Sequence, residues 1–414
     1  MINEIILKKW KSFDEGHLYI DPLTILIGAN AGGKSNALDA LRFLQRIATG
    51  KDLKTALGGD VGQAGIRGGL EWAALKPNSS FEISAVVGSK QNGMEFIYSI
   101  EVETKNKCEL LAESLVRVKY RPKTKNKPYK IHLYRTDSVI EGNPSITARL
   151  YNEKQGTKKS LSRSLSIISQ LLAQPIRKEI SEGITQVTEA LRSIFVFDPI
   201  PSHMRAYSPL SEQLQTDASN IAGVLAALTK PQKHFVEQKM IDYAKKVPER
   251  DILRIWAEPV GKFNSDAMLY CEEKWGNQNG SIVDARGMSD GTLRFLAILA
   301  ALLTLPEYSL FVVEEVDNGL HPSRASLLLQ MLREVGGERK IDVLVTTHNP
   351  ALQDALGTEM LPFVFIAHRD PESGFSKLKL LEKVPGMAKL LADGRIGRLA
   401  SEGKIQLLLD LPEE

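Results

Sequence analysis

Hydrophobic residues in the first 48 positions follow two different periods. Short apolar runs predict strands over residues 2–10 and 18–27, and the second run ends in a glycine-rich turn. Over residues 35–48 the apolar side chains recur three and four positions apart, which predicts an amphipathic helix. The chain therefore opens with strands, a glycine-rich turn and a helix.

The remaining sequence divides into a β-rich, a helical and an alternating region. Strand patterns prevail over 80–136, where residues 122–128 predict the tip of a long hairpin. Residues 160–247 are mostly helical in pattern, and strand character returns over 251–275. From residue 289 onward a helix is followed by a strand at 310–313, a helix at 323–335 and a strand at 341–346.

Alternation of helices with buried strands predicts a parallel sheet covered on both faces, which is the α/β class. We expect three parts in the chain. Residues 1–150 form the N-terminal part of the core with the glycine-rich turn and a β-rich lobe. Residues 151–250 form a helical lobe insertion, and residues 251–414 complete the core.

Composition excludes several classes of protein. Of the 414 residues 43% are apolar and 25% are charged, which is typical of globular proteins and argues against a disordered or fibrous chain. The longest apolar run, residues 295–303, is shorter than the ~20 residues that span a bilayer. The first residues do not resemble a signal peptide, and Cys108 and Cys271 cannot build a disulfide framework. We expect a soluble, cytoplasmic protein without a membrane partner.

Positive charge is concentrated in one segment, although the net charge is only +3. Residues 117–135 contain eight basic residues and no Asp or Glu, whereas acidic residues outnumber basic ones in the rest of the chain. A nucleic-acid partner would therefore bind here, although a solvated hairpin tip explains the charges equally well. The eight residues are Arg117, Lys119, Arg121, Lys123, Lys125, Lys127, Lys130 and Arg135.

The glycine-rich turn matches the phosphate-binding motif G-x-x-x-x-G-K-[ST] and lies between a predicted strand and a predicted helix, as that motif requires. Backbone N–H groups of such a loop surround the β-phosphate of a nucleotide, and the helix presents its positive end. Lys34 is expected to reach the β- and γ-phosphates and Ser35 to hold Mg²⁺. The motif residues are Gly28, Ala29, Asn30, Ala31, Gly32, Gly33, Lys34 and Ser35.

Two carboxylates follow the buried strand at 310–313. If this strand lies beside the phosphate loop, Glu314 reaches the Mg²⁺ shell, directly or through water, and Glu315 reaches the attacking water. An exposed pair of glutamates at a strand end is the alternative.

Two further signals are weak when taken alone. Ser289 is placed to cap the helix that follows it, and Gly291 lets a phosphate approach its first turn, although an ordinary helix cap would have the same sequence. His348 follows the strand at 341–346, and ligand contacts gather at the C-terminal ends of parallel strands.

The order of these motifs resembles the ABC-type ATPases: phosphate loop, serine-capped helix, acidic strand, and strand with a terminal histidine. More closely, the sequence resembles the SMC/RecF/OLD group. The likeness rests on the opening strand at 5–13, on Asn30 and Asn36 in and after the phosphate loop, and on the Glu-Glu-x-x-Asn-Gly-Leu-His-Pro run at 314–322. The chain looks like a stand-alone, OLD-like member of the AAA family.

This resemblance implies a P-loop NTPase fold with a mixed sheet core, a β-rich lobe and a helical lobe. It also implies ATP and Mg²⁺ as ligands, and a homodimer or higher even oligomer in which ATP lies between the phosphate loop of one copy and the capped helix of the other. Ser289 and Gly291 would then contact the γ-phosphate in the second copy's site, and residues 317–321 would cross the interface. In the site itself, Lys34 would contact the phosphates and Glu314 would hold the metal. Glu315 would be the general base, and His348 would sense the γ-phosphate.

Three weaker assignments come from the same resemblance. Gln170 would link the metal to the helical lobe, with Gln174 as a competing candidate. Lys11 and Ser12 would flank the adenine.

The resemblance also bears on partners. OLD-type nucleases add a TOPRIM domain after the ATPase core, but only 64 residues follow Pro350, so we expect no nuclease domain. Stand-alone ATPases of this kind commonly act with a separately encoded effector, often in bacterial antiphage defence. The alternative is a RecF-like, DNA-binding ATPase in DNA repair that uses the basic segment 117–135.

Overall fold

The computed structural model describes residues 1–105, 107–120, 128–246, 252–274 and 280–410. No helix in this part of the chain combines the length and apolar character needed to cross a bilayer.

The strands are β1 Ile2–Trp10, β2 Phe13–Tyr19, β3 Leu23–Ile27, β4 Gly59–Asp60, β5 Gln63–Ala64, β6 Ser80–Ser89, β7 Met94–Glu103, β8 Glu109–Lys119, β9 Tyr129–Thr136, β10 Ser145–Leu150, β11 Thr157–Ser162, β12 Ile194–Phe197, β13 Ser208–Pro209, β14 Ile252–Val260, β15 Asp266–Glu273, β16 Ser281–Asp284, β17 Leu310–Val313, β18 Asp342–Thr346, β19 Val364–Arg369 and β20 Ser376–Leu380.

The α-helices are α1 Lys34–Ala48, α2 Leu53–Gly58, α3 Ile167–Leu172, α4 Lys178–Arg192, α5 Pro201–Met204, α6 Ile221–Ala227, α7 Lys230–Ala244, α8 Asp290–Thr304, α9 Ala325–Glu338, α10 Pro350–Asp354, α11 Met387–Ala392, α12 Ile396–Ser401 and α13 Lys404–Leu409.

A six-stranded sheet in the order β12-β17-β18-β3-β19-β20 forms the core, and its first five strands are parallel. Both faces are buried because the strands are apolar on both sides. Ile25 and Ile27 of β3 pack in one hydrophobic cluster with α8 and α9, whereas Leu26 packs in a second cluster with α1. This arrangement confirms the predicted α/β fold with a sheet covered on both faces.

The β-rich lobe is an eight-stranded antiparallel sheet in the order β11-β10-β9-β8-β7-β6-β1-β2. Its buried face packs against α1 and α4. Since β2 belongs to this sheet and β3 to the core, the single strand predicted at 18–27 is in fact two strands. The chain turns at Asp21, whose N–H donates to the Thr24 hydroxyl, and at Pro22, which has no N–H to offer a ladder.

In its described part, the span predicted to be mostly helical contains five helices, but it also supplies strands to both large sheets. β11 is the edge strand of the β-rich lobe, and β12 is the edge strand of the core. The short apolar run Ile194–Phe197 has no period that separates a buried strand from a helical turn, which explains why the pattern missed β12. A four-stranded sheet of β13 to β16 packs with α6 and α7 beside α8.

A buried carboxylate joins the β-rich lobe to the first helix after it. Glu113 of β8 is almost fully buried and accepts hydrogen bonds from the Tyr134 hydroxyl (2.7 Å) and from the backbone N–H groups of Ile167 (2.6 Å) and Ile168 (2.8 Å). Burial raises the pKa of Glu113 to about 7, although these hydrogen bonds oppose the shift. The folded protein therefore retains a proton on Glu113 at a pH where the unfolded chain has lost it.

This shift makes the free energy of unfolding depend on pH. The pKa of Glu113 is raised from 4.5 to about 7, so unfolding releases a proton between these values and stability falls as the pH rises. We expect the wild-type protein to lose about 3 kcal/mol more than Glu113→Gln between pH 4.5 and pH 7, in urea unfolding at a series of pH values. Glu182→Gln, at an exposed position of α4, is the control for the substitution. Parallel stability curves for wild type and Glu113→Gln would contradict the assignment.

Candidate nucleotide-binding site

The loop between β3 and α1 has a backbone that only small residues can form. Gly28, Ala31 and Gly33 have φ values of 138°, 66° and 111°, which lie in the left-handed region. A Cβ atom would lie 2.1 Å from the Ala367 carbonyl oxygen at Gly28 and 2.4 Å from it at Gly32. β19 therefore backs the loop at a distance that excludes any side chain at these two glycines.

Lys34 begins α1 and folds its side chain back into the loop. Its ammonium donates to the carbonyl oxygens of Gly28 (2.6 Å) and Ala29 (3.0 Å). Burial lowers the pKa of Lys34, and the carboxylates of Glu315 and Glu314 oppose this shift. A buried cation inside a cup of backbone groups suits the phosphate chain of a nucleotide.

The structure brings Ser35 and Glu314 together. The Ser35 hydroxyl donates to Glu314 Oε1 at 2.5 Å, and Glu314 lies at the C-terminal end of β17. Burial alone would raise the pKa of Glu314, but hydrogen bonds from Arg67 and Ser35 bring it below its ordinary value. A hydroxyl beside an ionised carboxylate is the oxygen donor set that Mg²⁺ prefers, so these two residues fit the ion that the resemblance implies.

Sequence analysis missed a group of charged residues around this carboxylate. Arg67 Nη2 lies 2.7 Å from Glu314 Oε2, and Arg42 Nη2 lies 3.6 Å from the same oxygen. Asp39, also on α1, is fully buried and pairs with Arg42 at 2.9 Å. Ser35, Asp39 and Arg42 are spaced four and three residues apart, so a polar stripe on the predicted helix was the available signal. Arg67 lies in a glycine-rich stretch that offers no such signal.

Glu315 and His348 also meet in the structure. His348 Nδ1 lies 3.5 Å from Glu315 Oε1, and both side chains are about half exposed. The backbone of Glu315 is left-handed, with a φ of 47°, and its N–H donates to the Thr346 hydroxyl at the end of β18. From α8, the buried Arg294 donates to the carbonyl oxygens of Glu314 and Glu315, each at 3.1 Å. The turn that contains Glu314 and Glu315 is thus held in place by β18 and by α8.

Ser289 caps α8 as the sequence indicates, because its hydroxyl accepts a hydrogen bond from the Thr292 N–H at 3.1 Å. A Cβ atom at Gly291 would lie 2.7 Å from the Gly319 carbonyl oxygen. The start of α8 therefore packs directly on the loop that follows the acidic strand. The helix cap is therefore confirmed, and the phosphate contact stays a prediction.

The structure contradicts the metal role predicted for Gln170. Its carboxamide bonds the backbone N–H and carbonyl of Ser162, the last residue of β11. The preceding Ser166 bonds the Ile47 carbonyl near the far end of α1, about 18 Å along the helix from Ser35. The competing Gln174 accepts a hydrogen bond from Lys159 instead. The prediction failed because the packing of α3 on α1, which no local pattern encodes, decides where Gln170 lies.

Lys11 and Ser12, which are both predicted to flank the adenine, differ from each other in their surroundings. The Asn36 side chain donates to the Ser12 hydroxyl at 2.7 Å, so Ser12 lies next to the residue that follows the phosphate loop. The buried ammonium of Lys11 is bound by Asp39 at 2.5 Å and by the Arg67 carbonyl at 2.7 Å. Burial lowers the pKa of Lys11, while Asp39 opposes the shift.

The described residues include only part of the basic segment. Arg121, Lys123, Lys125 and Lys127 lie outside the described residues. Arg117 is buried, with Nη2 3.7 Å from a Glu179 carboxylate oxygen. Lys119, Lys130 and Arg135 are exposed on β8 and β9, so nucleic-acid binding by this segment stays a prediction.

Three solved structures that resemble the chain are head domains of SMC proteins, each 13% identical in sequence. The SMC head bound to the C-winged helix domain of ScpA has a TM-score of 0.51, and the match covers 91% of this chain and 96% of that chain. For the SMC head from Thermotoga maritima the TM-score is 0.43, and the match covers 92% of this chain and 98% of the other. For the SMC head bound to the C-terminal domain of ScpA derived from Pyrococcus furiosus the TM-score is 0.49, and the match covers 95% of this chain and 98% of the other. The first of these structures, with a TM-score above 0.5, shows that the chain has the fold of an SMC head domain.

Residues 23–354 match the family described as "AAA domain, putative AbiEii toxin, Type IV TA system", and the chain belongs to this family. No curated protein matches the sequence.

Arg67 and Glu314 are expected to be energetically coupled in the nucleotide-free protein. Arg67→Ala removes a donor from a buried carboxylate, which costs about 1–2 kcal/mol because the arginine is itself half exposed. The same substitution in a Glu314→Gln background has no charged partner to lose and is expected to cost much less. Urea unfolding of both single variants and the double variant measures this coupling. Strictly additive losses would contradict it.

Proposed function

We propose that the protein is a Mg²⁺-dependent ATPase that dimerises on ATP and acts as a switch for a separately encoded effector protein. The observation that carries this proposal is the contact between Ser35 and Glu314, which unites the phosphate loop with the acidic strand. Family membership and the SMC-head fold support the same activity.

The residues have distinct roles in the proposed reaction. Lys34 and the loop N–H groups hold the β- and γ-phosphates, while Ser35 and Glu314 hold Mg²⁺. When bound, the ion neutralises charge on the phosphate oxygens. Glu315 is 42% exposed and can accept a proton from a water, and His348 is close enough to orient its carboxylate.

The capped helix supports a head-to-tail dimer. Ser289 is exposed, and its hydroxyl is engaged with Thr292 of its own helix. α8 is fifteen residues long and apolar, so its N-terminus offers N–H groups and a positive end to an anion. We propose that this anion is the γ-phosphate bound by a second copy, with residues 317–321 in the interface.

The effector belongs to the same proposal. The family description names a toxin and a TA system, which supports a role beside a second gene product. We propose the bacterial antiphage role implied by the sequence resemblance on the basis of the same family description.

Two variants distinguish dimerisation on ATP from hydrolysis of ATP. Glu315→Gln retains the phosphate and metal ligands but loses the base, so with ATP and Mg²⁺ it is expected to accumulate as a dimer and to hydrolyse at least about 100-fold more slowly. Lys34→Ala loses the cation on the phosphates and is expected to stay monomeric. Size-exclusion chromatography with light scattering and phosphate release measure both effects.

Glu359→Gln, at an exposed carboxylate far along the chain from the loop, is the control for the substitution and is expected to behave as wild type. Identical elution of Glu315→Gln and Lys34→Ala with ATP would overturn the dimer switch. Undiminished phosphate release by Glu315→Gln would overturn the role of the base.

A further inference from the structure

The two carboxylates that follow β17 are adjacent in the chain but reach different partners. Glu314 is buried and accepts a hydrogen bond from the Ser35 hydroxyl. Glu315 is partly exposed and lies beside His348 instead. The backbone of Glu315 is left-handed, with a φ of 47°, so the chain leaves the extended conformation of the strand at this residue. The direction of the Glu315 side chain therefore depends on what holds this turn.

A left-handed backbone is unfavourable for a glutamate, because its Cβ atom comes close to the following carbonyl oxygen. Such a conformation persists only where the surrounding structure holds it, and residues of this kind cluster at active sites. The groups that bond the backbone around Glu315 are therefore the ones that keep it in this conformation.

Thr346, the last residue of β18, holds the turn through two hydrogen bonds. Its hydroxyl accepts the N–H of Glu315 at 2.9 Å, and its carbonyl oxygen accepts the N–H of Val316 at 3.1 Å. Thr346 is only 1% exposed, so its hydroxyl is fixed in a packed region. Two consecutive N–H groups of the turn are thus bound by one buried residue.

The hydroxyl takes a position that belongs to a backbone carbonyl in a regular sheet. The Leu310 N–H donates to the Ser193 carbonyl of β12, so the odd-numbered residues that follow Leu310 face β18. Continuing that parallel ladder would join the Glu315 N–H to the Thr346 carbonyl. The hydroxyl accepts this N–H instead, and the carbonyl is left free for Val316. The chain can therefore turn out of the sheet at Glu315 with its N–H group still bonded.

The same strand end also contacts the carboxylate. His348 follows Thr346 by two residues, and its Nδ1 lies 3.5 Å from Glu315 Oε1. From the other side, Arg294 of α8 donates to the Glu315 carbonyl at 3.1 Å. The end of β18 thus bonds the N–H of Glu315 and lies beside its carboxylate, whereas α8 bonds its carbonyl.

We propose that Thr346 is a positioning residue for Glu315, which its hydroxyl keeps in the left-handed conformation that places the carboxylate beside His348. This inference rests on the proposed function, in which Glu315 is the general base. Without the hydroxyl, the Glu315 N–H loses this partner and the base is no longer held in place. The phosphate loop has no part in these bonds, so ATP binding does not depend on them.

Thr346→Val replaces the hydroxyl by a methyl group at similar volume, and Thr346→Ser keeps the hydroxyl. Calorimetry with ATP and single-turnover phosphate release measure both variants. Thr346→Val is expected to hydrolyse ATP about tenfold more slowly or worse at unchanged ATP affinity, because a small displacement of a catalytic group is costly. Thr346→Ser is expected to retain most of the rate. Thr304→Val, which removes a hydroxyl bonded within α8, is the matched control and is expected to behave as wild type.

A double variant separates positioning from a general structural defect. Adding Thr346→Val to Glu315→Gln is expected to slow hydrolysis no further, since a base that is absent cannot be misplaced. A structural defect would slow both backgrounds equally and would weaken ATP binding. Equal slowing in both backgrounds would overturn the inference, and so would a serine variant as slow as the valine variant.

Crystal structures of nucleotide-free Thr346→Val and Thr346→Ser provide a readout that does not require activity. Glu315 is expected to leave the left-handed region in the valine variant and to remain there in the serine variant. An unchanged Glu315 backbone in Thr346→Val would overturn the inference. A wild-type protein that does not hydrolyse ATP would instead overturn the proposed function, and the two structures would still decide whether Thr346 fixes Glu315.

Discussion

One hydrogen bond, from the Ser35 hydroxyl to the Glu314 carboxylate, joins two parts of the chain that are 279 positions apart. The two residues follow β3 and β17, which are not neighbours in the core sheet because β18 lies between them. They can meet only if all three strands run parallel and end at the same edge. The covering of both sheet faces by α1, α8 and α9 is what makes such a buried parallel arrangement stable.

Sequence reasoning identified the local structures that depend on consecutive residues. The phosphate loop, the capping serine and the acidic strand end are each encoded in a few adjacent positions, and the structure places them where a local pattern indicates. It failed where a position depends on packing at a distance. Gln170 lies near the far end of α1 because of how α3 packs, and Arg67 reaches Glu314 through a glycine-rich segment that is tied to the end of β1. β12 was missed because four apolar residues have no readable period.

The charged groups of the site are paired with one another and with the backbone. Ser35 and Arg67 both donate to the Glu314 carboxylate, and Lys34 donates to loop carbonyls. A buried carboxylate without such donors would be costly, so the hydrogen bonds from Arg67 and Ser35 stabilise the ionised form of Glu314. In the proposed function, Mg²⁺ and the phosphate chain would replace these partners at Glu314 and Lys34, and Arg67 would then be released from Glu314.

The two ends of the site are attached to different parts of the fold. Arg67, which bonds Glu314, belongs to a short segment that is tied to the end of β1. On the other side, His348 is separated from α10 by Asn349 alone, and α12 packs on the first residue of that helix. A Cβ atom at Gly397 would lie 2.0 Å from the Pro350 carbonyl oxygen, so backbone meets backbone without an adaptable side chain between them. A close-packed contact of this kind leaves little room for α10 to shift without α12, so the strand end that carries His348 and the C-terminal helices are packed together. The other side of the site, at Arg67, is attached instead to the β-rich lobe, because the Lys11 N–H at the end of β1 donates to the Ala73 carbonyl.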